Sequence, residues 1–80
     1  MLTNSSMLER AKADIYRLDN GLYRRKSVFG LYKEERDAVI GCMVDYVLGP
    51  KAASCTDSYL LNVIDTVSRE YDEMMKSEPL

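Results

Sequence analysis

The 80-residue sequence contains no histidine and no tryptophan. Histidine is the side chain that most often serves as a general base, so Ser–His and Cys–His catalytic pairs cannot form in this chain. A glycine-rich loop that binds phosphate is also lacking, because the four glycines are isolated from one another. The carboxylates that occur at helical spacing fit the solvated faces of amphipathic helices. We therefore predict that the protein is not an enzyme.

Cysteine is scarce as well, with Cys42 inside an apolar segment and Cys55 in a connector. A disulfide scaffold would carry more cysteines, and two thiols without histidine cannot complete a tetrahedral zinc site. This cysteine usage predicts a reduced protein that needs no metal and no cofactor.

Long apolar runs are absent. Residues 1–6 lack the basic start and apolar stretch of a signal peptide. The most apolar segment, Val39–Leu48, has about half the length that a membrane-spanning helix needs, and it contains Asp45. We therefore expect a cytoplasmic protein with no membrane partner.

The net charge of −2 is unevenly distributed along the chain. Residues 1–36 contain eight basic and five acidic residues, whereas residues 37–80 contain three basic and eight acidic ones. The basic residues cluster at one place, where Arg24, Arg25 and Lys26 follow Tyr23. This triplet is a candidate contact for DNA or for an acidic partner, and the alternative is a solvated basic loop.

Apolar periodicity predicts an all-α fold of two or three helices. The first helix is expected over about 6–20, because Ser6-Met7-Leu8-Glu9 matches a capping box and Gly21 can end the helix. Its predicted apolar stripe consists of Leu8, Ala11, Ile15 and Leu18.

The other two helices are expected over about 32–48 and 56–75. Gly49-Pro50 ends the second helix, since proline cannot continue the hydrogen-bond ladder. A capping box is expected near Ser54–Asp57 for the third helix. The short connector predicts an antiparallel helical hairpin. The whole chain, 1–80, is predicted to form one domain, with residues 76–80 as a disordered tail.

The second helix is apolar around almost its whole circumference and must therefore be covered on nearly all sides. An 80-residue chain has little else to cover it with, so the pattern favours a homodimer. Gly41 lies on its narrow polar strip, where a mid-helix glycine indicates either a tolerated surface position or the close approach of another group. The predicted core and dimer-interface residues are Val39, Ile40, Gly41, Met43, Val44, Val47, Leu60, Ile64 and Val67.

The same central segment carries a family resemblance. Its pattern is Glu34-Glu35, Ala38-Val39-Ile40-Gly41, Val44 and Val47-Leu48, and after a polar connector Tyr59-Leu60-Leu61, Val63-Ile64 and Val67. This pattern, within residues 31–68, resembles the YmgB/AriR family of small enterobacterial regulators. The resemblance implies a small all-helical dimer connected with biofilm formation, acid resistance and the Rcs phosphorelay, which acts by contacting a response regulator. The segment 6–20 and the basic triplet have no counterpart in that family.

Three functional hypotheses follow. The first is a dimeric, non-enzymatic connector that binds a response regulator or other transcription factor and modulates biofilm or stress-response gene expression. The second is a DNA-binding transcriptional regulator that uses the basic loop. The third is an inhibitor protein of a phage or mobile element.

Overall fold

The computed structural model describes residues 4–26 and 30–77 and shows an α+β fold. Three α-helices, one 3-10 helix and three strands follow one another along this part of the chain. They are α1 (Asn4–Ala13), β1 (Ile15–Arg17), β2 (Tyr23–Arg25), β3 (Leu31–Tyr32), α2 (Glu35–Leu48), the 3-10 helix (Gly49–Ala53) and α3 (Asp57–Ser77). The prediction of an all-α protein is therefore wrong.

The error lies in the predicted helix 6–20, which ends at Ala13 and continues as a β-hairpin. The hairpin turn is Asp19-Asn20-Gly21, in which Gly21 has a φ of +81°. The backbone N–H of Leu18 donates to the Leu22 carbonyl at 2.7 Å and closes the turn. Asn-Gly between strand-forming residues is a strong hairpin signal. Here it outweighs the helical spacing of Ile15 and Leu18 from Leu8 and Ala11.

The three strands form one antiparallel sheet in the order β1-β2-β3. In the first pair Tyr16 lies opposite Arg24, and in the second pair Leu31 lies opposite Arg24. Because side chains alternate between the two faces of a strand, Arg25 points to the opposite face from Arg24. The two faces of this small sheet therefore carry different chemistry.

Both predicted capping boxes are also wrong. Helix α1 begins at Asn4, so Ser6 lies within its first turn rather than before it. Helix α3 begins at Asp57, and the hydroxyl oxygen of Thr56 accepts a hydrogen bond from the Tyr59 N–H at 3.2 Å. Thr56, not Ser54, is therefore the N-cap residue of α3.

Helix α2 lies at the centre of the fold and contacts α1, all three strands, the 3-10 helix and α3. Val39 and Met43 are fully buried, and burying a side chain of this kind contributes about 1.5–3 kcal/mol. Besides the buried residues of α2, the core contains Leu8 and Ala11 of α1 and Val63 and Val67 of α3. Most of the apolar circumference of α2 is thus covered by its own chain.

The ends of the helical hairpin differ slightly from the predicted ranges. Helix α2 begins at Glu35 rather than at 32, because residues 31–32 form β3. Gly49 ends α2 with a φ of +53°, and Pro50 lies in the following 3-10 helix. Helix α3 includes residues 76 and 77, which belong to the predicted disordered tail of residues 76–80. Residues 78–80 lie outside the described part of the chain.

Candidate interaction surfaces

A buried arginine joins the sheet to the central helix. Arg25 of β2 is only 8% exposed, and its Nη1 donates to the Gly41 carbonyl and to Asp45 Oδ2, both at 2.6 Å. The guanidinium also lies 5.6 Å from the centroid of the Tyr32 ring, within the range of a cation–π contact. A charge inside the core requires such partners, since an unpaired one is costly. Arg25 therefore fixes the sheet against α2.

This contact explains the glycine in the middle of α2. A Cβ atom at position 41 would lie 3.0 Å from Arg25 Nη1 and 3.1 Å from the Tyr32 hydroxyl oxygen. Both distances are shorter than ordinary van der Waals contacts. Of the two interpretations of Gly41, close approach therefore applies, and the approaching groups belong to the same chain rather than to a partner.

The basic triplet is divided by the strand alternation. Arg24 and Lys26 are exposed, whereas Arg25 is buried and bonded to Asp45. The candidate contact for DNA or an acidic partner thus retains two of its three residues at the surface. The sequence prediction missed this division because it placed the triplet in a connector rather than in a strand. Only in a strand do successive side chains point to opposite faces.

The predicted core and interface residues also fall into two groups. Within the single chain, the buried group consists of Val39, Ile40, Met43, Val44 and Val67. The accessible group consists of Val47 and Ile64, which are exposed, and Leu60, which is half-buried. Gly41 lies under Arg25 and Tyr32. The accessible group is therefore the part of the prediction that can contact another molecule.

Helix α3 carries two adjacent apolar seams. The inner seam, Leu60, Val63, Val67 and Met74, packs on the core. The outer seam consists of Leu61, Ile64, Ser68, Tyr71 and Met75, which follow one another at spacings of three and four residues. Leu61 is 66% exposed, and Ile64 and Met75 are also exposed. Two such seams are typical of a helix that packs against two neighbours.

A groove of about 370 Å³ continues the outer seam onto α2. Its apolar walls are formed by Ile40, Val44, Leu60 and Ile64. Asp37 and Asp45 line it on the α2 side, together with Arg25 and Tyr32. An apolar groove of this kind beside an exposed apolar seam can receive the ridge of a second helix.

The carboxylates beside the outer seam are paired within the chain. Arg36 of α2 forms a two-pronged contact with Asp72, at 3.1 Å from Nε and 3.0 Å from Nη2. The hydrogen bond to this guanidinium lowers the pKa of Asp72 and raises that of Arg36. Asp65 is bonded to Arg69 one turn further along α3. These pairs reduce the net negative charge along this side of α3.

A second buried polar contact lies at the junction of α1 and β1. The Tyr46 hydroxyl donates to Asp14 Oδ2, and the Arg10 guanidinium lies 4.4 Å from the centroid of the Tyr46 ring. Burial, together with the hydrogen bond to Asp14, raises the pKa of Tyr46 well above its usual range. Residue spacing gave no signal for this contact, because Asp14 and Tyr46 are far apart along the chain.

Cys42 does not lie in a reactive setting. Cys42 is buried among the core residues of α2, and burial raises the pKa of its thiol to about 11. Thiolates are the reactive form of cysteine, so this thiol is inert at neutral pH. Across residues 4–26 and 30–77, no three His, Cys, Asp or Glu side chains lie together in a way that could hold a metal ion. In the same ranges, no helix has the length and apolar character needed to cross a membrane.

Comparisons with known proteins do not place the chain in a family. No family model matches it, and no curated protein or solved structure matches it either. The resemblance to the YmgB/AriR family therefore stays a prediction from the pattern in residues 31–68.

Proposed function

We propose that this protein is a non-enzymatic regulatory module that forms a homodimer through the outer seam of α3 and binds a transcription factor or response regulator. The observation that carries the proposal is the outer seam itself. Leu61, Ile64 and Met75 of this seam are exposed in the single chain, whereas Tyr71 is partly buried and packs against the core.

The outer seam is compatible with itself. If two copies of α3 pack antiparallel with Ser68 at the crossing point, Leu61 of one copy lies opposite Met75 of the other. Ile64 then lies opposite Tyr71. The small Ser68 side chain allows the two helices to approach at the centre. With 21 residues, α3 is about 30 Å long, which provides a contact of several turns.

Charge along the seam does not oppose this pairing. In the antiparallel arrangement Asp65 of one copy comes near Asp72 of the other. Because each carboxylate is bonded to an arginine of its own chain, the repulsion between them is reduced. The groove beside Ile64 gives the partner helix an apolar surface to occupy.

The regulatory role rests on the sequence pattern of α2 and α3, which resembles that of dimeric connectors in the YmgB/AriR family. The chain also lacks the histidine on which most acid–base catalysis depends. A dimer presents two copies of every other surface, which raises the apparent affinity for a partner that is itself dimeric.

Light scattering tests the dimer directly. The parent chain is expected to have twice its formula mass of 9.2 kDa. Leu61→Asp is expected to be monomeric and folded, because Leu61 is largely exposed within one chain while a carboxylate in the seam would be buried in the dimer. Thr66→Asp is the matched control, since Thr66 is exposed on another side of α3.

A monomeric parent chain, or a Leu61→Asp variant that remains dimeric, would contradict the proposed interface. The regulatory half of the proposal is tested separately by capture of partners with the parent dimer and with Leu61→Asp as bait. Recovery of no transcription factor or response regulator by an intact dimer would overturn that half.

A further inference from the structure

The outer face of the sheet carries a second surface, distinct from the α3 seam. Tyr16, Arg24 and Leu31 lie in one cross-strand row, because Arg24 is opposite both of the others. Tyr16 is 48% exposed and Leu31 is 62% exposed. Large apolar side chains in such a row normally cover a hydrophobic core, and here they face outward. We call this row the outer sheet face.

A hollow of about 480 Å³ lies beside the row. It is lined by Leu18, Arg24, Gly30 and Leu31. The two leucines make its wall largely aliphatic, and the arginine places a cation at its side. A hollow of this composition can receive one large apolar side chain of a peptide in which the neighbouring residues carry carboxylates, since carboxylates bond to a guanidinium.

Positive charge surrounds the hollow. Between residues 15 and 33 the sequence has five basic residues and one acidic residue, Asp19. Arg25 is committed to Asp45 on the inner face. Arg24 lines the hollow, Lys26 and Lys33 are exposed at positions two residues from Arg24 and Leu31, and Arg17 points to the opposite face of the sheet. This local excess of cations contrasts with the acidic second half of the chain and indicates an anionic occupant.

We propose that the outer sheet face binds an acidic peptide segment that inserts one large apolar residue into the hollow beside Leu31. Nucleic acid shares the charge but fits the surface less well. Proteins that bind single-stranded DNA or RNA stack the bases on several aromatic rings. Among the residues of β1, β2 and β3, by contrast, Tyr16 is the one exposed aromatic side chain. Aliphatic Leu18 and Leu31 suit a leucine or phenylalanine side chain better than a base.

Fluorescence anisotropy with a defined probe tests this proposal. The probe is a fluorescein-labelled peptide in which glutamates flank a single leucine, and the comparison peptide has serine in place of that leucine. At roughly 20 mM salt, where screening is weak, the leucine peptide is expected to bind with a dissociation constant of about 1–100 μM. The serine peptide is expected to bind roughly tenfold more weakly, because it leaves the hollow unfilled.

Two variants of the protein separate the apolar and the charged contributions. Leu31→Ser is expected to remove the preference for leucine, so that both peptides bind within about twofold of each other. Lys33→Gln, two residues after Leu31 and therefore on the same side, is expected to weaken both peptides equally and to reduce the dependence on salt. Lys51→Gln, a charge change in the 3-10 helix away from the sheet, is the matched control and is expected to leave binding unchanged. Circular dichroism checks that each variant is folded.

The proposal is overturned if the two peptides bind equally well, if Leu31→Ser keeps the preference for leucine, or if neither peptide binds. Tighter binding of a single-stranded oligothymidylate of the same charge would also overturn it, in favour of a nucleic-acid surface. None of these results depends on the α3 seam, so the dimer and the peptide site can fail separately.

Discussion

Replacing Arg25 by methionine should destabilise the protein by an amount that its contacts allow us to estimate. Both hydrogen bonds of Arg25 have a charged donor, and a hydrogen bond of that kind contributes about 1.5–3 kcal/mol. The Asp45 side chain is 33% exposed, which places the ion pair at the low end of that range. The Arg25 Nε–H is buried without a hydrogen-bond partner in the described residues, and removing it recovers part of the loss. We expect a decrease of about 1–3 kcal/mol in the free energy of unfolding.

Removing the other partner should cost more. Asp45→Ala leaves the buried guanidinium without its countercharge, so we expect a decrease of about 2–4 kcal/mol. The variant lacking both groups, Arg25→Met with Asp45→Ala, leaves no orphaned charge. Its free energy of unfolding should therefore decrease by much less than the sum of the two single changes. The difference, a coupling of about 1–3 kcal/mol, measures the interaction between the two side chains.

Urea unfolding followed by circular dichroism is the appropriate assay. An 80-residue domain has a stability of about 4–12 kcal/mol, which exceeds the loss expected for Arg25→Met and, except at its lowest value, the loss expected for Asp45→Ala. The coupling is obtained from the four free energies extrapolated to zero urea. Effects of the two single changes that add to within about 0.5 kcal/mol would refute the reasoning, as would an Arg25→Met protein as stable as the parent.

Two further predictions concern α2. Gly41→Ala should lower the free energy of unfolding by about 1 kcal/mol although alanine favours a helix, because the new Cβ would meet Arg25. The same substitution in the Arg25→Met background should be neutral or stabilising, and a loss of stability there would contradict the steric explanation. Tyr46→Phe should cost about 1 kcal/mol through loss of the bond to Asp14. Because the pKa of Tyr46 is raised, its stabilising contribution is present below the ordinary value of 10.0 and is lost as the pH rises through the raised pKa. The difference between the ultraviolet titrations of the parent chain and of Tyr46→Phe should therefore show a tyrosine that ionises above 10.0.

The long helices were predictable because their apolar signals are long and uninterrupted. Gly49-Pro50 marks the end of α2, and the inner seam of α3 runs for about four turns of helix at regular spacing. A long periodic segment determines that a helix forms, whereas the residue at which the helix begins or ends depends on single contacts. The N-cap of α3 illustrates this, since three hydroxyl or carboxyl residues precede or begin the helix and only the fold selects Thr56.

The sheet could not be predicted from periodicity, because its strands are two or three residues long. Ile15 and Leu18 fit a helical stripe as well as a strand. The local clue was Asn20-Gly21, which can end a helix or turn a hairpin. The sheet is also held by a contact that spacing does not reveal, between Arg25 and Gly41, which lie 16 residues apart in the chain. Spacing did not separate the outer seam of α3 either, because Ile64 and Tyr71 also fit a single stripe with Leu60, Val67 and Met74.

The central position of α2 has a consequence for how the protein opens. Every other element contacts α2, so detachment of α1, the hairpin or α3 alone uncovers only one side of α2. Amide protons of α2 should therefore exchange with solvent only through global unfolding, while those of the outer elements exchange through smaller openings. The two surfaces for which we propose partners both lie on outer elements. Binding at either surface should therefore slow the exchange of the amide protons in that element before it affects those of α2.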